Sequence, residues 1–397
     1  MKINEVYEVT IVDTDNHGNG IAKINNIVTF IKGTFKEEIV KIKITSLAKR
    51  FATGQLIEII KKSPFRTKIF CPSFYTCGGC NYLHLDFQKE NELKEQIIKE
   101  TFKDYKVNNI IYGCEYYYRN KAVFHVKDNQ IGFYMPKTNN IVPITNCLLL
   151  NKTIQKIYDQ LKTINLQNIN NITVKVTSLN ETMLIFDGHI MKKDLSFLTT
   201  NNKITSIYQN NKLIYGNSYI KEQINDIIFT INKESFMQVN YEIMLKLYDK
   251  IKQYAKKGNT LLDLYCGTGT IAIYLKNNYQ KIVGVEIVAD AIKNANLNKK
   301  INNISNVDFI LQDASYVNQK NFETIITDPP RAGLSKQVIN NLLNSGATKI
   351  IYTSCNYKTL QKDIKLLEKK YKVVEITPFN MFPQTDNIEC VCLMVKI

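Results

Sequence analysis

Residues 261–270 read Leu-Leu-Asp-Leu-Tyr-Cys-Gly-Thr-Gly-Thr, a short apolar run that leads into a glycine-rich turn. The run has the length of a buried strand, and a helix is expected to begin near Ile271. From about residue 236 onward, helical segments alternate with further short apolar strands, at 281–287, 307–312, 324–327 and 349–353. This alternation predicts an α/β domain over residues 236–397, in which a mainly parallel, Rossmann-like sheet carries helices on both faces.

Acidic residues accompany three successive strands of this sheet: Asp263 precedes the glycine turn, Glu286 ends the second strand and Asp313 ends the third. Ligands of such sheets bind at the carboxyl ends of the strands. Gly267 and Gly269 let the backbone approach a ligand, and a carboxylate at 286 can bind both ribose hydroxyls. A G-x-G turn alone also fits a dinucleotide, and any single acid could cap a helix. Together the three acids favour S-adenosylmethionine, with its adenine near Asp313.

The next two strand ends carry reactive groups. One reads Asp-Pro-Pro-Arg-Ala-Gly at 328–333, and the other reads Thr-Ser-Cys-Asn at 353–356. A D-P-P turn is typical of nucleic-acid methyltransferases, and Arg331 replaces the aromatic residue expected for transfer to an exocyclic amine. Carbon 5 of uracil accepts a methyl group only after a thiolate has added to carbon 6. Cys355 is the candidate nucleophile, and a helix starting near Lys358 predicts a lowered thiol pKa.

A base is also needed, because the carbon 5 proton must leave after methyl transfer. Glu389 precedes the apolar strand 390–395 and is the candidate. A surface glutamate would look the same in sequence, just as a buried structural cysteine would look like Cys355. Cys390 and Cys392 alternate with apolar residues in that strand, and they are expected in the core.

The N-terminal 61 residues predict a small β-barrel of the OB type. Its strands are expected at 6–12, 27–31, 39–44 and 55–60, and the residues Asn16–Gly20 form a turn. Lysines at 41 and 43 suit an oligonucleotide-binding barrel, although a solvated face explains them nearly as well. The chain has 52 Lys and Arg against 36 Asp and Glu, a net charge of +16, which favours a polyanionic partner.

The nine cysteines are expected to be reduced, because no signal peptide or membrane-spanning run is visible and a cytoplasmic protein is predicted. Residues 62–235 form a strand-rich central domain, with a helix near 87–105. This domain starts with three cysteines spaced C-x5-C-x2-C, at 71, 77 and 80. A fourth ligand at His84 would give a zinc site, whereas a distant cysteine would give an iron–sulfur cluster.

These motifs resemble the RNA uracil-5-methyltransferases, and specifically their iron–sulfur branch that acts on 23S ribosomal RNA. The resemblance covers nearly the whole chain. Residues 1–61 look like a TRAM domain, and residues 235–240 look like the motif that opens the catalytic domain. The glycine loop, the D-P-P-R-A-G and S-C-N segments and F-P-x-T-x-x-x-E at 382–389 follow in the family's order. Two positions depart from the family, Gln384 and Asn387, where histidine is usual.

The resemblance implies a role for each candidate residue. The adenosylmethionine pocket would be lined by Gln238, Tyr265, Glu286 and Asp328. Cys355 would be the nucleophile and Glu389 the base. A [4Fe-4S] cluster would be bound by Cys71, Cys77, Cys80 and Cys147.

The predicted function is therefore methylation of uridine carbon 5 in 23S ribosomal RNA. Methylation of transfer RNA is the first alternative, but those enzymes usually lack the cluster cysteines and the barrel. A non-catalytic RNA-binding assembly factor is the second alternative. The joint presence of Cys355, Glu389 and a complete cofactor loop disfavours it.

Overall fold

The computed structural model describes residues 1–317 and 320–397. Three large sheets follow one another along the chain, and a two-stranded hairpin lies between the second and the third. Among the described residues, no helix is long and apolar enough to cross a membrane.

The first sheet is a closed barrel. Its strands are β1 (Val6–Thr10), β2 (Asp13–Thr14), β3 (Asn19–Ile24), β4 (Ile27–Lys32), β5 (Ile39–Leu47) and β6 (Phe51–Lys61). Although β1 and β2 nearly adjoin in sequence, β1 pairs with β5 at one edge of the sheet and β2 pairs with β3 at the other. The chain therefore closes the sheet on itself. The sequence predicts four of these six strands and misses β2, which has only two residues, and β3, because Asn19 and Gly20 at its start are turn-forming residues.

The lysines assigned to RNA binding lie on β5. Lys41 is exposed, but it stands opposite Glu8 of β1 and Glu58 of β6. Opposite charges on neighbouring strands attract each other, so they offset the positive charge of Lys41. The basic surface of the barrel therefore depends on Lys43 and on the exposed turn 48–50 more than on Lys41.

The second sheet belongs to the central part of the chain and follows helix α1 (Phe87–Thr101). Its strands are β7 (Lys121–Lys127), β8 (Gln130–Tyr134), β9 (Ile141–Val142), β10 (Ile169–Val176), β11 (Thr182–Gly188), β12 (Ser206–Gln209) and β13 (Lys212–Gly216). They pair in the order β13-β12-β11-β10-β7-β8-β9. Helices α2 (Lys152–Leu161) and α3 (Lys192–Asn201) pack against the sheet through Ile154 and Leu198.

The third sheet is the predicted α/β sheet. Its strands are β16 (Gly258–Leu264), β17 (Tyr279–Glu286), β18 (Val307–Leu311), β19 (Thr324–Thr327), β20 (Lys349–Ser354), β21 (Tyr371–Phe379) and β22 (Glu389–Lys396). They pair in the order β18-β17-β16-β19-β20-β22-β21, and only β22 runs antiparallel to its neighbours. Its helices are α4 (Tyr241–Ala255), α5 (Thr270–Tyr274), α6 (Ala289–Ile301), α7 (Lys336–Asn344) and α8 (Tyr357–Leu367).

Two apolar cores cover the two faces of this sheet. Successive residues of a strand point to opposite faces, and accordingly Leu261 packs in one core and Leu262 in the other. Segments from before residue 236 complete both cores. The hairpin β14 (Ile220–Ile224) and β15 (Ile227–Ile231) joins the first core through Phe229, and α1 joins the second through Ile98.

A fully buried ion pair lies where α1 meets the third sheet. Glu90 and Lys94 are one helical turn apart on α1, both are completely buried, and Lys94 Nζ lies 2.7 Å from Glu90 Oε1. Lys94 also donates to Asn380 Oδ1 at 2.8 Å and to the Phe382 carbonyl at 3.2 Å. Glu90 accepts the Gln384 amide at 2.9 Å. The pair therefore anchors the 380–384 segment, which leads to Glu389.

We expect Lys94→Met to lower the free energy of unfolding by about 3–5 kcal/mol, because it leaves the Glu90 carboxylate buried without its cation. Urea denaturation followed by circular dichroism measures this loss. The matched control is Lys99→Met on the same helix, whose ion pair with Glu95 is exposed to solvent and should contribute less than about 1 kcal/mol. Equal losses in the two variants would contradict a structural role for the buried pair.

Candidate active site

The glycine-rich turn after β16 has the backbone geometry that a ligand site requires. Tyr265, Gly267 and Gly269 have φ values of 63°, 53° and 78°, all in the left-handed region. A Cβ atom on Gly267 would meet nothing within 4 Å, so this glycine borders open space. A Cβ atom on Gly269 would lie 2.4 Å from the Phe309 ring. Gly269 is therefore needed for packing, whereas Gly267 leaves room for a ligand.

Two adjoining cavities open beside this turn. The inner one, of about 110 Å³, is lined by Gln238, Tyr265 and Asp328, and the outer one, of about 470 Å³, is lined by Glu286. Phe236 borders both cavities, and 71% of its surface is exposed. With Gly267, which lines both cavities, five of the predicted cofactor residues are thus brought together around one recess.

Backbone amides fix the carboxylate of Glu286. Its Oε2 accepts the Gly267 amide at 3.1 Å, and its Oε1 accepts the amides of Ile287 and Val288 at 2.8 and 2.9 Å. Each carboxylate oxygen can accept more than one hydrogen bond. The remaining acceptor capacity of Glu286 is available to hydroxyl groups of a ligand in the outer cavity.

Asp313 lines neither of these cavities, although its charge acts on Tyr265, which lines the inner one. Its Oδ1 accepts the Ser315 amide at 2.7 Å and the Ser315 hydroxyl at 2.6 Å, which caps the short helical turn Ala314–Tyr316. These hydrogen bonds lower the pKa of Asp313. The capping role is the alternative that the sequence leaves open for each of the three acids.

Three carboxyl groups lie near Tyr248, which lines the inner cavity: Asp263 and Glu389 are buried, and the half-buried Asp328 lines the cavity itself. Burial, with a smaller contribution from Asp328, raises the pKa of Asp263 to about 8. Burial also raises the pKa of Asp328 to about 7, and burial together with Asp328 raises the pKa of Glu389 to about 8. Asp263 accepts the Ala272 amide through Oδ2, but its buried Oδ1 has no hydrogen-bond partner among the described residues. This cluster favours a cationic ligand.

Cys355 and Glu389 lie side by side at the carboxyl edge of the sheet. Ser354 of β20 pairs with Cys390 of antiparallel β22, so the next residue of β20 faces the first residue of β22. Cys355 is half-buried, and Glu389 is 3% exposed. The predicted nucleophile and the predicted base are therefore neighbours, and both interact electrostatically with Asp328.

The pKa of Cys355 differs from the sequence expectation. Burial raises it, the negative charges of Glu389 and Asp328 raise it further, and Arg331 partly opposes them. The lowering expected from the helix that begins near Lys358 is therefore wrong, because burial and the two acids outweigh it; the Lys358 ammonium itself lies over the Tyr357 ring, 5.8 Å from its centroid. The thiolate of Cys355 therefore forms less readily than that of an ordinary cysteine before ligands bind.

The two positions that depart from the family pattern have different surroundings. Asn387 Oδ1 accepts a hydrogen bond from Arg331 Nη2 at 3.2 Å at the edge of the site. Gln384 is buried, and its Nε2 donates to Glu115 Oε1 at 2.9 Å. Asn387 thus orients the arginine beside Cys355, whereas Gln384 belongs to the supporting layer.

The four predicted cluster cysteines line a separate cavity of about 220 Å³, and they are Cys71, Cys77, Cys80 and Cys147. His84 does not line this cavity; it is buried beside Phe74, and burial lowers its pKa to about 3. Within residues 1–317 and 320–397, no group of three His, Cys, Asp or Glu side chains is arranged to hold a metal ion. The zinc site with His84 is therefore not formed.

Sequence reasoning missed the residues that support the site. Asn120 Nδ2 donates to the Gln238 carbonyl at 3.0 Å, and Lys94 anchors the segment before Glu389. Lys175, the penultimate residue of β10, is 1% exposed. A lysine within an alternating strand reads as a solvent-facing residue, so the sequence carries no signal for its burial.

Comparisons with known proteins agree with this architecture. Residues 2–57 match the TRAM domain family, residues 244–352 match the methyltransferase small domain, and residues 311–397 match the family described as tRNA (Uracil-5-)-methyltransferase. The tRNA (uracil-54, C5)-methyltransferase of Pyrococcus abyssi has the same fold, with a TM-score of 0.83 and 24% identity over 98% of this chain and 100% of that one. The predicted methyltransferase fold and TRAM domain are thereby confirmed.

Two curated relatives match over nearly their full length. An uncharacterized RNA methyltransferase of Clostridium acetobutylicum is 33% identical over 100% of this chain and 98% of that protein. An uncharacterized RNA methyltransferase of Bacillus cereus is 31% identical over 99% of this chain and 97% of that protein. With its matching catalytic segment, TRAM domain and full-length relatives, the chain belongs to the RNA uracil-5-methyltransferase family.

Proposed function

We propose that this RNA methyltransferase transfers a methyl group from S-adenosylmethionine to carbon 5 of a uridine in 23S ribosomal RNA. Cys355 is the nucleophile and Glu389 is the base. One observation carries the proposal: Cys355 follows the end of β20, Glu389 begins the paired strand β22, and both interact electrostatically with Asp328, which lines the inner cavity. A thiol and a carboxyl group in this arrangement can act in turn on one pyrimidine ring.

S-adenosylmethionine supplies the methyl group when bound, and the surrounding residues fit it. Glu286 has acceptor capacity for ribose hydroxyls, and Gln238 and Tyr265 line the inner cavity. The buried carboxyl groups of Asp263 and Asp328 suit a sulfonium cation, because a nearby positive charge favours their ionised form. The Pyrococcus abyssi protein is described in complex with S-adenosyl-L-homocysteine, which supports the same ligand class.

Two bonds to the uracil ring form one after the other, the first from the thiolate to carbon 6 and the second from the methyl group to carbon 5. Addition of the Cys355 thiolate forms a bond to carbon 6 and moves the π electrons of the ring toward carbon 5 as an enolate. Carbon 5 then accepts the methyl group as the bond from that methyl to the sulfonium sulfur breaks, which leaves neutral S-adenosylhomocysteine. Glu389 removes the carbon 5 proton, and the released electron pair restores the double bond and expels the thiolate. A nucleobase that is stacked inside an RNA helix cannot reach Cys355. The target uridine must therefore be extruded from the helix before the reaction starts.

The central cysteines support 23S ribosomal RNA as the substrate, by resemblance to the iron–sulfur branch. The presence of the barrel does not distinguish a ribosomal RNA enzyme from a transfer RNA enzyme, because the transfer RNA enzyme of Pyrococcus abyssi matches this chain over almost its whole length. Transfer RNA is therefore the second candidate substrate, and it is favoured by the descriptions of that enzyme and of the matching family.

We further propose that Cys71, Cys77, Cys80 and Cys147 bind a [4Fe-4S] cluster. A cubane takes one cysteine at each of four irons, so its ligands surround a volume and do not converge on a single point. Four cysteines around one cavity fit that requirement, with the apolar residues Phe74, Ile144 and Leu149 completing the wall. The cluster would join the 71–80 segment to the central sheet through Cys147.

The first prediction separates nucleophile from base. Cys355→Ala should form no covalent complex with RNA, because nothing adds to carbon 6. In Glu389→Gln, Cys355 should still add to the ring and carbon 5 should still accept the methyl group, but the product should be released slowly. This variant should therefore accumulate a denaturant-resistant adduct. Labelled cofactor and a denaturing gel detect that adduct, with fragments of 23S ribosomal RNA and transfer RNA supplied separately.

The control for this experiment is Cys114→Ala, which removes an exposed cysteine and should turn over normally. An adduct in Cys355→Ala would place the nucleophile elsewhere, and normal turnover by Glu389→Gln would place the base elsewhere. If the adduct forms only with transfer RNA, the proposed chemistry is supported, but the substrate is transfer RNA and not 23S ribosomal RNA.

The second prediction concerns pH. Glu389 works as a base only when ionised, and burial together with Asp328 raises its pKa to about 8. Turnover at saturating RNA includes the proton removal that follows methyl transfer, so it should rise as the pH passes through about 8. Adduct formation by Glu389→Gln does not need that carboxylate, and it should follow only the ionisation of Cys355. Identical pH profiles for wild-type turnover and for adduct formation by the variant would exclude Glu389 as the titrating base.

The third prediction concerns the cluster. Protein purified without oxygen should contain about four irons per chain, and Cys147→Ser should lose them or retain them weakly. Iron content and visible absorption measure both effects, and Cys114→Ser serves as a control with full iron content. Stoichiometric zinc without visible absorption would refute the cluster.

A further inference from the structure

Lys175 is a buried cation that the proposed chemistry does not use. Its ammonium donates to three backbone carbonyls, those of Asn232 at 3.0 Å, Lys233 at 2.8 Å and Ser235 at 3.0 Å. A lysine ammonium has three N–H groups, so its donors are fully occupied. Among the described residues no carboxylate lies within ion-pair distance of Lys175, and the turn 232–235 therefore wraps around it through backbone oxygens alone.

This arrangement is energetically costly. Burial lowers the pKa of Lys175 to about 7, and the charge of Lys121, its partner on the neighbouring strand β7, lowers it further. The turn contains two charged residues: Lys233 also lowers the pKa of Lys175, whereas Glu234 raises it. A charge buried without a counter-ion opposes folding unless its hydrogen bonds compensate for lost water. The three carbonyl contacts are that compensation, so Lys175 and the turn depend on each other.

The turn continues directly into the wall of the cofactor recess. Phe236 follows Ser235 and borders both cavities, and Gln238 lines the inner one. The other end of this wall is fixed by Asn120, whose amide donates to the Val239 carbonyl and whose side chain donates to the Gln238 carbonyl, both at 3.0 Å. The exposed ring of Phe236 has few contacts of its own to keep it in place. Its position is therefore determined by the two anchors, Lys175 before it and Asn120 after it.

We propose that Lys175 is a positioning residue for the cofactor: its ammonium fixes the turn 232–235 and thereby places Phe236 and Gln238 against S-adenosylmethionine. The central sheet, which carries Lys175, then determines the affinity of the catalytic domain for its cofactor. This inference rests on the proposed function only in taking an adenosyl compound as the ligand of the recess. It does not depend on which RNA is methylated.

The test is a titration of S-adenosylhomocysteine into the full-length protein by calorimetry, without RNA. Lys175→Met should bind it about ten-fold more weakly than wild type or worse, because three carbonyls lose their donors and the wall loosens. Amide hydrogen exchange in residues 235–240 should become faster in the same variant. The matched control is Lys127→Met, which removes an exposed lysine from the same neighbouring strand β7 and should leave the affinity unchanged.

A purely structural role would lower the melting temperature of Lys175→Met without changing its affinity below that temperature, and this result would overturn the inference. If Lys175→Met does not fold, Lys175→Gln replaces it, since two N–H donors remain and a smaller loss of affinity is expected. Unchanged affinity in a folded Lys175→Gln would likewise overturn the inference. If the wild type itself does not bind S-adenosylhomocysteine, the proposed cofactor fails, and this inference fails with it.

Discussion

The buried pair of Glu90 and Lys94 is the constraint on which the catalytic edge depends. Loops that leave the carboxyl ends of parallel strands have no ladder of their own, so another part of the fold must hold their polar backbone groups. Here α1 does so, because its two charges bind Asn380, the Phe382 carbonyl and the Gln384 amide. A buried pair is costly unless every partner is in place. The 380–384 segment therefore has one well-defined position, and that position determines where Glu389 begins its strand.

Burial also determines the pKa values of the acidic groups at the carboxyl edge of the third sheet. Asp263, Asp328 and Glu389 lie close enough for their charges to oppose one another, and each has a raised pKa in the protein without ligands. A general base works best when its pKa is near the working pH, and burial brings Glu389 to that range. The same negative charges raise the pKa of Cys355. The cationic methyl donor of the proposed reaction would relieve this opposition and thereby favour the ionised forms of the proposed nucleophile and base.

The sequence predicts the parts of the fold that are encoded locally. The strand ends at Glu286 and Cys355 could be found because apolar runs and glycines mark where buried strands stop. The sequence could not predict that Asp313 caps a turn, because an aspartate that caps a helical turn and an aspartate that binds a ligand look the same in sequence. It was wrong about the pKa of Cys355, because the opposing acids come from distant strands. Lys175 could not be recognised at all, because an alternating strand does not reveal that a second segment covers its polar face.

All three parts of the chain meet at the segment that precedes Glu389. From the barrel, His17 Nδ1 lies 2.5 Å from Asp386 Oδ2. From the cysteine segment, the Asn81 amide donates to the Gln384 carbonyl at 2.8 Å, and the Asn81 side chain accepts the Asp386 amide at 3.3 Å. With α1 beneath, this short segment is contacted from three directions. In the proposed reaction, movement of the barrel on RNA binding would therefore act first on the residues beside Glu389, the proposed base.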